Sequence, residues 1–193
     1  MGLKEQLRNN RLIRVIGIDD TPFSVADERV NVAGVVCART RFEGMLWTNI
    51  ARDGWDATSA LVEVLKRSKF LAQLHLLLLD GVAMGGFNVV DLEALAQQLD
   101  LPCVTVMRKL PNLDAMRAAM DNLPDADRRW ERLLRAGPIH CHPPYYFQVV
   151  GEAPQLMLAA LKVLTDRGNV PEALRLAHLI GAAVQQGESG RRA

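Results

Sequence analysis

Two short apolar runs in this chain end in aspartate: Val15-Ile16-Gly17-Ile18-Asp19-Asp20 near the start and Leu76-Leu77-Leu78-Leu79-Asp80-Gly81 in the middle. Apolar runs of this length read as buried strands, and an acid at a strand end stands at the rim of a sheet, where open α/β folds collect their ligands. Carboxylates gathered there repel one another unless a cation or a shared proton intervenes. Hard divalent cations such as Mg²⁺ take one or two carboxylates together with water and phosphate oxygens. Asp19, Asp80 and a third acid from the Asp53-Gly54-Trp55-Asp56 segment therefore form a candidate Mg²⁺ (or Mn²⁺) site, able to activate water for in-line displacement at phosphorus. Lys109, just after another apolar run, could reach a phosphate at the same edge. Each acid also has an ordinary structural reading: Asp19 or Asp20 as a turn residue before Pro22, Asp56 as a helix cap, Asp80 as the start of an Asp-Gly turn.

Other groups are weaker candidates. His140 and His142 lie two apart, on one side of an extended segment, but zinc would want further ligands and Cys141 would face away. His178 falls on the partly buried face of a helix, with Arg175 three residues before it. The sequence has no Gly-x-Ser-x-Gly elbow, phosphate loop, dinucleotide fingerprint or paired Cys-x-x-Cys, which argues against hydrolase-triad, nucleoside-triphosphatase, dehydrogenase and zinc-ribbon functions.

The elements that must hold these residues follow from periodicity. Residues 11–19, 30–39 and 43–51 read as three successive strands, an antiparallel meander, with Pro22 breaking the first. Ala60, Leu61, Val64 and Leu65 recur at helical spacing, predicting an amphipathic helix from Asp56 to about Lys69. Residues 74–79 suit a central strand covered on both faces, followed by a flexible Gly81–Gly86 loop. Asn88 is the expected N-cap of a second helix, with Asp91 reaching back in a capping box. Residues 103–107 form a further buried strand, and the alternation of strands and helices from Leu74 onward predicts parallel pairing. Residues 113–136 read as exposed helices, 145–150 as a strand, and 154–165 and 171–185 as closing helices.

The 193 residues are most simply one domain, with residues 1–10 and 187–193 as flexible tails. Cys37, Cys103 and Cys141 lack paired spacing and suit a reducing cytoplasm. No stretch approaches a membrane span. A net charge of +1 gives no bulk attraction to nucleic acid, so such binding would need a local patch. The pattern fits a ribonuclease H-like mixed sheet better than a flavodoxin-like one, whose first strand should lead into a helix.

Residues 16–20, the stretch from Asp80 to Asp91, Leu101 to Lys109, and the ending Val170-Pro171-Glu172-Ala173-Leu174-Arg175-Leu176-Ala177-His178 resemble the family catalogued as domain of unknown function 99. That family is similar to endonuclease V, a ribonuclease H-like, Mg²⁺-dependent nuclease that recognises deaminated bases in nucleic acid and cuts nearby. The resemblance implies metal-binding roles for Asp19, Asp80 and, by helix phase, Asp56 over Asp53. It implies a phosphate-steadying role for Lys109, and DNA or RNA as partner. Where endonuclease V has Asp-Gly-His-Gly, this chain has Asp80-Gly81-Val82-Ala83. The Pro-Tyr-Ile-Pro wedge has no counterpart in residues 42–50, and Gly151-Glu152 replaces a Gly-His pair. The expected function is phosphodiester hydrolysis, with an inactive nucleic-acid-binding or partner-binding module as the alternative.

Overall fold

The two apolar runs that end in aspartate are neighbours in one sheet. In the computed structural model, which describes residues 3–190, β1 (Arg14–Asp20) and β4 (Leu76–Asp80) pair in parallel with Ile18 opposite Leu79. Asp19 and Asp80 therefore emerge at the same edge. β1 also pairs antiparallel with β2 (Arg29–Ala38), which turns into β3 (Arg41–Ala51), completing the expected meander. On the other side of β4 lies β7 (Cys103–Met107), again parallel.

A short hairpin, β5 (Ala83–Met84) with β6 (Asn88–Val89), occupies the segment expected to be a flexible loop. The edge of the main sheet is built from β8 (His140–His142) and β9 (Tyr145–Val150), giving the order β3-β2-β1-β4-β7-β9-β8. β9 runs antiparallel to β7, so the parallel alternation ends one strand earlier than periodicity suggested.

Side chains alternate across this sheet, as a pleat requires. Ile16, Ile18, Leu77 and Leu79 pack on one face beneath α2 (Ala57–Lys66), α3 (Leu92–Leu99), α4 (Leu113–Met120) and α5 (Ala126–Leu134). Val15, Leu76, Leu78 and Val104 pack on the other, beneath α1 (Leu3–Arg8), α6 (Pro154–Leu164) and α7 (Glu172–Gln186). Strands buried on both faces explain the near-continuous apolar runs of β1 and β4.

Four further expectations need correction. Residues 3–8, read as tail, form α1 with Leu3 buried; residues 1–2 and 191–193 of the expected tails lie outside the described residues. The N-cap of α3 is Asp91, which accepts from the Ala94 N–H at 3.1 Å, not Asn88. Helix α2 stops at Lys66, three residues short of the expected end. The stretch read as exposed helices is two helices that bury Met120, Leu133 and Arg129. No helix among the described residues is long and apolar enough to cross a membrane.

The closest backbone approach to the rim of the sheet is at Gly17. A Cβ there would lie 2.5 Å from the backbone of Ala173 and Leu174, so α7 rests directly on β1 and only glycine fits. From that contact Asp19 lies two residues along a strand, roughly 6.6 Å at the usual rise. His178 lies four or five residues along the helix, a comparable ~6 to 7.5 Å. The glycine contact sets the register that brings His178 beside Asp19.

Candidate metal centre

Asp19, Asp80 and His178 each present one potential ligand atom, all within 4.8 Å of one another. Asp19 is buried and lies 2.9 Å from His178 Nδ1 through its Oδ2. That hydrogen bond holds the His178 imidazolium and raises its pKa above the ordinary value, against the effect of burial. Asp80 is half-buried, and the Arg108 guanidinium stands 3.4 Å from its carboxylate.

Asp20, next in the strand, accepts from the Gly85 N–H at 2.7 Å and so ties the β5–β6 hairpin to β1. Burial pushes Asp20 and Asp80 up from the usual 3.8 to about 6, and the Asp19 charge adds to both. This is the signature of carboxylates gathered without enough donors.

The acids of the Asp53–Asp56 segment sit in a different setting. The carboxylate of Asp56, at the mouth of α2, accepts from the Ala51 N–H at 3.0 Å and from Asn88 Nδ2 at 2.7 Å, with Arg29 3.5 Å away. It makes no cap bond to its own helix. Asn88 takes that role, its Oδ1 accepting from the Ala57 N–H at 3.0 Å. Asp53 accepts from the Phe87 N–H at 2.8 Å and pairs with Arg52. Buried Arg129 donates to the carbonyls of Gly54, Phe87 and Asp53. The structure thus brings Asp19 and Asp80 together and sets Asp56 in a hydrogen-bonded clamp on the hairpin.

Lys109 is exposed, one residue beyond the arginine that meets Asp80. His140 and His142 do share a side of β8, but both rings pack against Phe147.

Sequence reasoning assigned His178 to a helix face and missed its place beside Asp19 and Asp80. Gly17 inside a strand was the available signal, since an interior strand glycine often marks close backbone approach.

Behind the Gly81 turn, on the α4–α5 face of the sheet, opens an apolar cavity of about 470 Å³, walled by Gly81, Val82, Ala83, Met107, Leu113 and Leu133 among others, with Gln148 as its amide. Its walls come from the turn after β4, from β7 and from α4 and α5. Cavities of this size suit a small ligand or a single ring system.

Two carboxylates and an imidazole are a donor set that fits a divalent cation: the oxygens suit Mg²⁺, and the imidazole nitrogen is well accepted by Mn²⁺. His178 Nδ1 would have to be unprotonated to serve.

Residues 11–185 match the family profile described as endonuclease dU. A UPF0215 protein of Thermococcus gammatolerans is 42% identical over 185 residues, covering 92% of this chain and 94% of that one. The crystal structure of a protein of unknown function from Archaeoglobus fulgidus superposes with a TM-score of 0.84 at 36% identity, covering 89% of this chain and 98% of that one. Endonuclease V of Ciona intestinalis, solved in complex with DNA containing an inosine, superposes with a TM-score of 0.55 at 15% identity, covering 90% of each chain. That last likeness is one of fold, and with the strand order it gives the ribonuclease H-like mixed sheet expected from the sequence.

Proposed function

Because the chain belongs to the endonuclease dU family, we propose that it is a metal-dependent endonuclease that hydrolyses a phosphodiester bond of DNA near a deoxyuridine. The observation that carries this reading is the convergence of Asp19, Asp80 and His178 at the rim of the sheet, with Gly81, the residue after Asp80, at the wall of an apolar cavity on the α4–α5 face. Asp19, Asp80 and His178 would hold the cation, Mg²⁺ or Mn²⁺. When bound, that ion supplies an activated water and screens the charge that develops at phosphorus.

The chain's own groups do the remaining work. Arg108 steadies Asp80 and offers its guanidinium to a phosphate oxygen once the carboxylate is otherwise engaged. Lys109, exposed beside it, adds a second positive charge on the same strand end. Asp20, next to Asp19, holds the β5–β6 hairpin against β1 through the Gly85 N–H. The cavity beyond Gly81 accepts the unstacked base, since enzymes that act on a particular base take it out of the helix. Exposed Arg128, 4.6 Å from the Trp55 ring, contributes to the local positive surface that a net charge of +1 makes necessary.

The test is nicking of a duplex carrying one deoxyuridine, with Mg²⁺ or Mn²⁺ and with EDTA. We expect metal-dependent cleavage near the lesion. If neither deoxyuridine nor hypoxanthine, in DNA or RNA, provokes a cut with either metal, the nuclease reading fails.

A further inference from the structure

The cavity behind Gly81 is apolar except for one amide, and that amide cannot turn over. Gln148 on β9 stands opposite Thr105 on β7, on the same face as Met107, so its side chain points toward α4 and α5 and into the cavity wall. It is almost wholly buried, at 4% exposure. Its Nε2 donates to the Gly137 carbonyl at 2.7 Å, and its Oε1 accepts from Thr105 Oγ1 at 3.2 Å. A carbonyl can only accept, so the Gly137 contact fixes which end of the amide is nitrogen. One N–H and one oxygen lone pair of Gln148 remain for another partner.

We infer that Gln148 is a specificity-determining residue that reads the edge of the base in this cavity and selects oxo bases over their amino parents. The inference rests on the nuclease reading and deepens it. Uracil presents an oxo acceptor beside a ring N–H donor, which complements a fixed amide N–H beside a fixed amide oxygen. Cytosine presents an amino donor beside a ring nitrogen acceptor, the reverse order, and so sets donor against donor and acceptor against acceptor. Deamination of adenine to hypoxanthine inverts the edge in the same sense, so hypoxanthine passes the same test. Thymine shares uracil's edge, so Gln148 does not separate those two. A buried polar pair left mismatched is far more costly than one lost contact, which gives a single amide its leverage.

The experiment compares the full-length protein and Gln148→Met on duplexes that carry one deoxyuridine, one mispaired deoxycytidine or one 3-deazadeoxyuridine. Both binding and Mn²⁺-dependent cleavage are measured. The wild type is expected to prefer deoxyuridine over deoxycytidine and over the deaza analogue, which lacks the ring N–H and, as a 4-hydroxy-2-pyridone, the neutral 4-oxo group, by roughly 10- to 100-fold each. In Gln148→Met both preferences should collapse toward unity. The deaza comparison in the wild type needs no variant to fold, and equal handling of deoxyuridine and its deaza analogue there overturns the assignment. So does a folded Gln148→Met that keeps the deoxyuridine preference. A deoxyuridine binding preference that depends on Gln148, without cleavage, would sink the nuclease reading and keep the base-reading role. Neither binding preference nor cleavage in the wild type overturns both.

Discussion

Asp19, Asp20 and Asp80 on one side and Asp53 and Asp56 on the other are five carboxylates of two chain segments and a strand end, and their surroundings are opposite. Asp53 and Asp56 each receive backbone N–H donors and a guanidinium, and the clamp they form with Asn88 and Arg129 pins the β5–β6 hairpin. Asp19 and Asp80 converge with His178, Asp20 follows in the strand with the Gly85 N–H as donor, and burial pushes Asp20 and Asp80 up to about 6. Holding each of those two charged at neutral pH costs on the order of 3 kcal/mol. Acids with donors shape the fold, whereas acids crowded together keep an unfavourable field that a bound cation would relieve. Residue type alone does not separate the two groups; the supply of donors does.

The sharpest break between the two groups is Asp80→Asn. Losing a ligand should lower metal-dependent cleavage by roughly 10³-fold or more, about 4 kcal/mol of barrier. Removing a disfavoured charge should leave the melting temperature at pH 7.5 unchanged or higher. A large loss of stability would instead place Asp80 with the structural acids.

The opposite variant is Asn88→Ala in the clamp. It leaves the Ala57 N–H, the Ala51 carbonyl and Asp56 without their buried partner, and should cost about 3 kcal/mol in a denaturant titration. Wild-type stability in that variant would show that the clamp is incidental.

The pH dependence of the metal-free protein separates the groups more gently. Below about pH 4, Asp20 and Asp80 are protonated whether the chain is folded or not. Between that point and about 6 the unfolded chain loses protons that the folded one keeps, so stability falls as pH rises and the penalty is complete above about 6. The raised pKa of His178 works in the same direction at higher pH, its stabilisation being lost as the ring deprotonates. Melting temperatures with EDTA should therefore drop from pH 5 to pH 7.5, and Mn²⁺ should raise them more at pH 7.5 than at pH 5. An equal Mn²⁺ effect at both values would contradict a carboxylate site of this kind.

The smallest effect concerns the two cations after β7. Lys109→Ala should reduce cleavage about tenfold through a lost phosphate contact, and the deficit should grow as salt is lowered in a rate-against-salt series. An unchanged rate would leave Arg108 as the sole cation acting there.

The strand-end placement of Asp19 and Asp80 was legible because two-sided burial writes strands as uninterrupted apolar runs, and an acid that ends such a run has no place but the rim. Their adjacency was less legible, since pairing is a property of register. Asp56 was the expected third ligand because it opens a helix. Its partners, the Ala51 N–H and Asn88, come from segments whose approach no local pattern announces. The N-cap of α3 was misplaced by three residues for the same reason: Asn88 is drawn into the clamp, and Asp91 is left to cap.

By itself the sequence determined the strands, the antiparallel start and parallel middle of the sheet, and the two aspartates at its rim, because periodicity and burial are local signals. Only the tertiary structure decided the third member of the cluster. His178 follows Asp19 by 159 residues, and the two meet because Gly17 lets the α7 backbone lie against β1. Tertiary packing also decided that Gln148, one polar residue in an apolar strand, lines the cavity behind Gly81. Such meetings depend on how closely two backbones approach, a distance fixed by packing across the whole sheet rather than by any neighbouring residue.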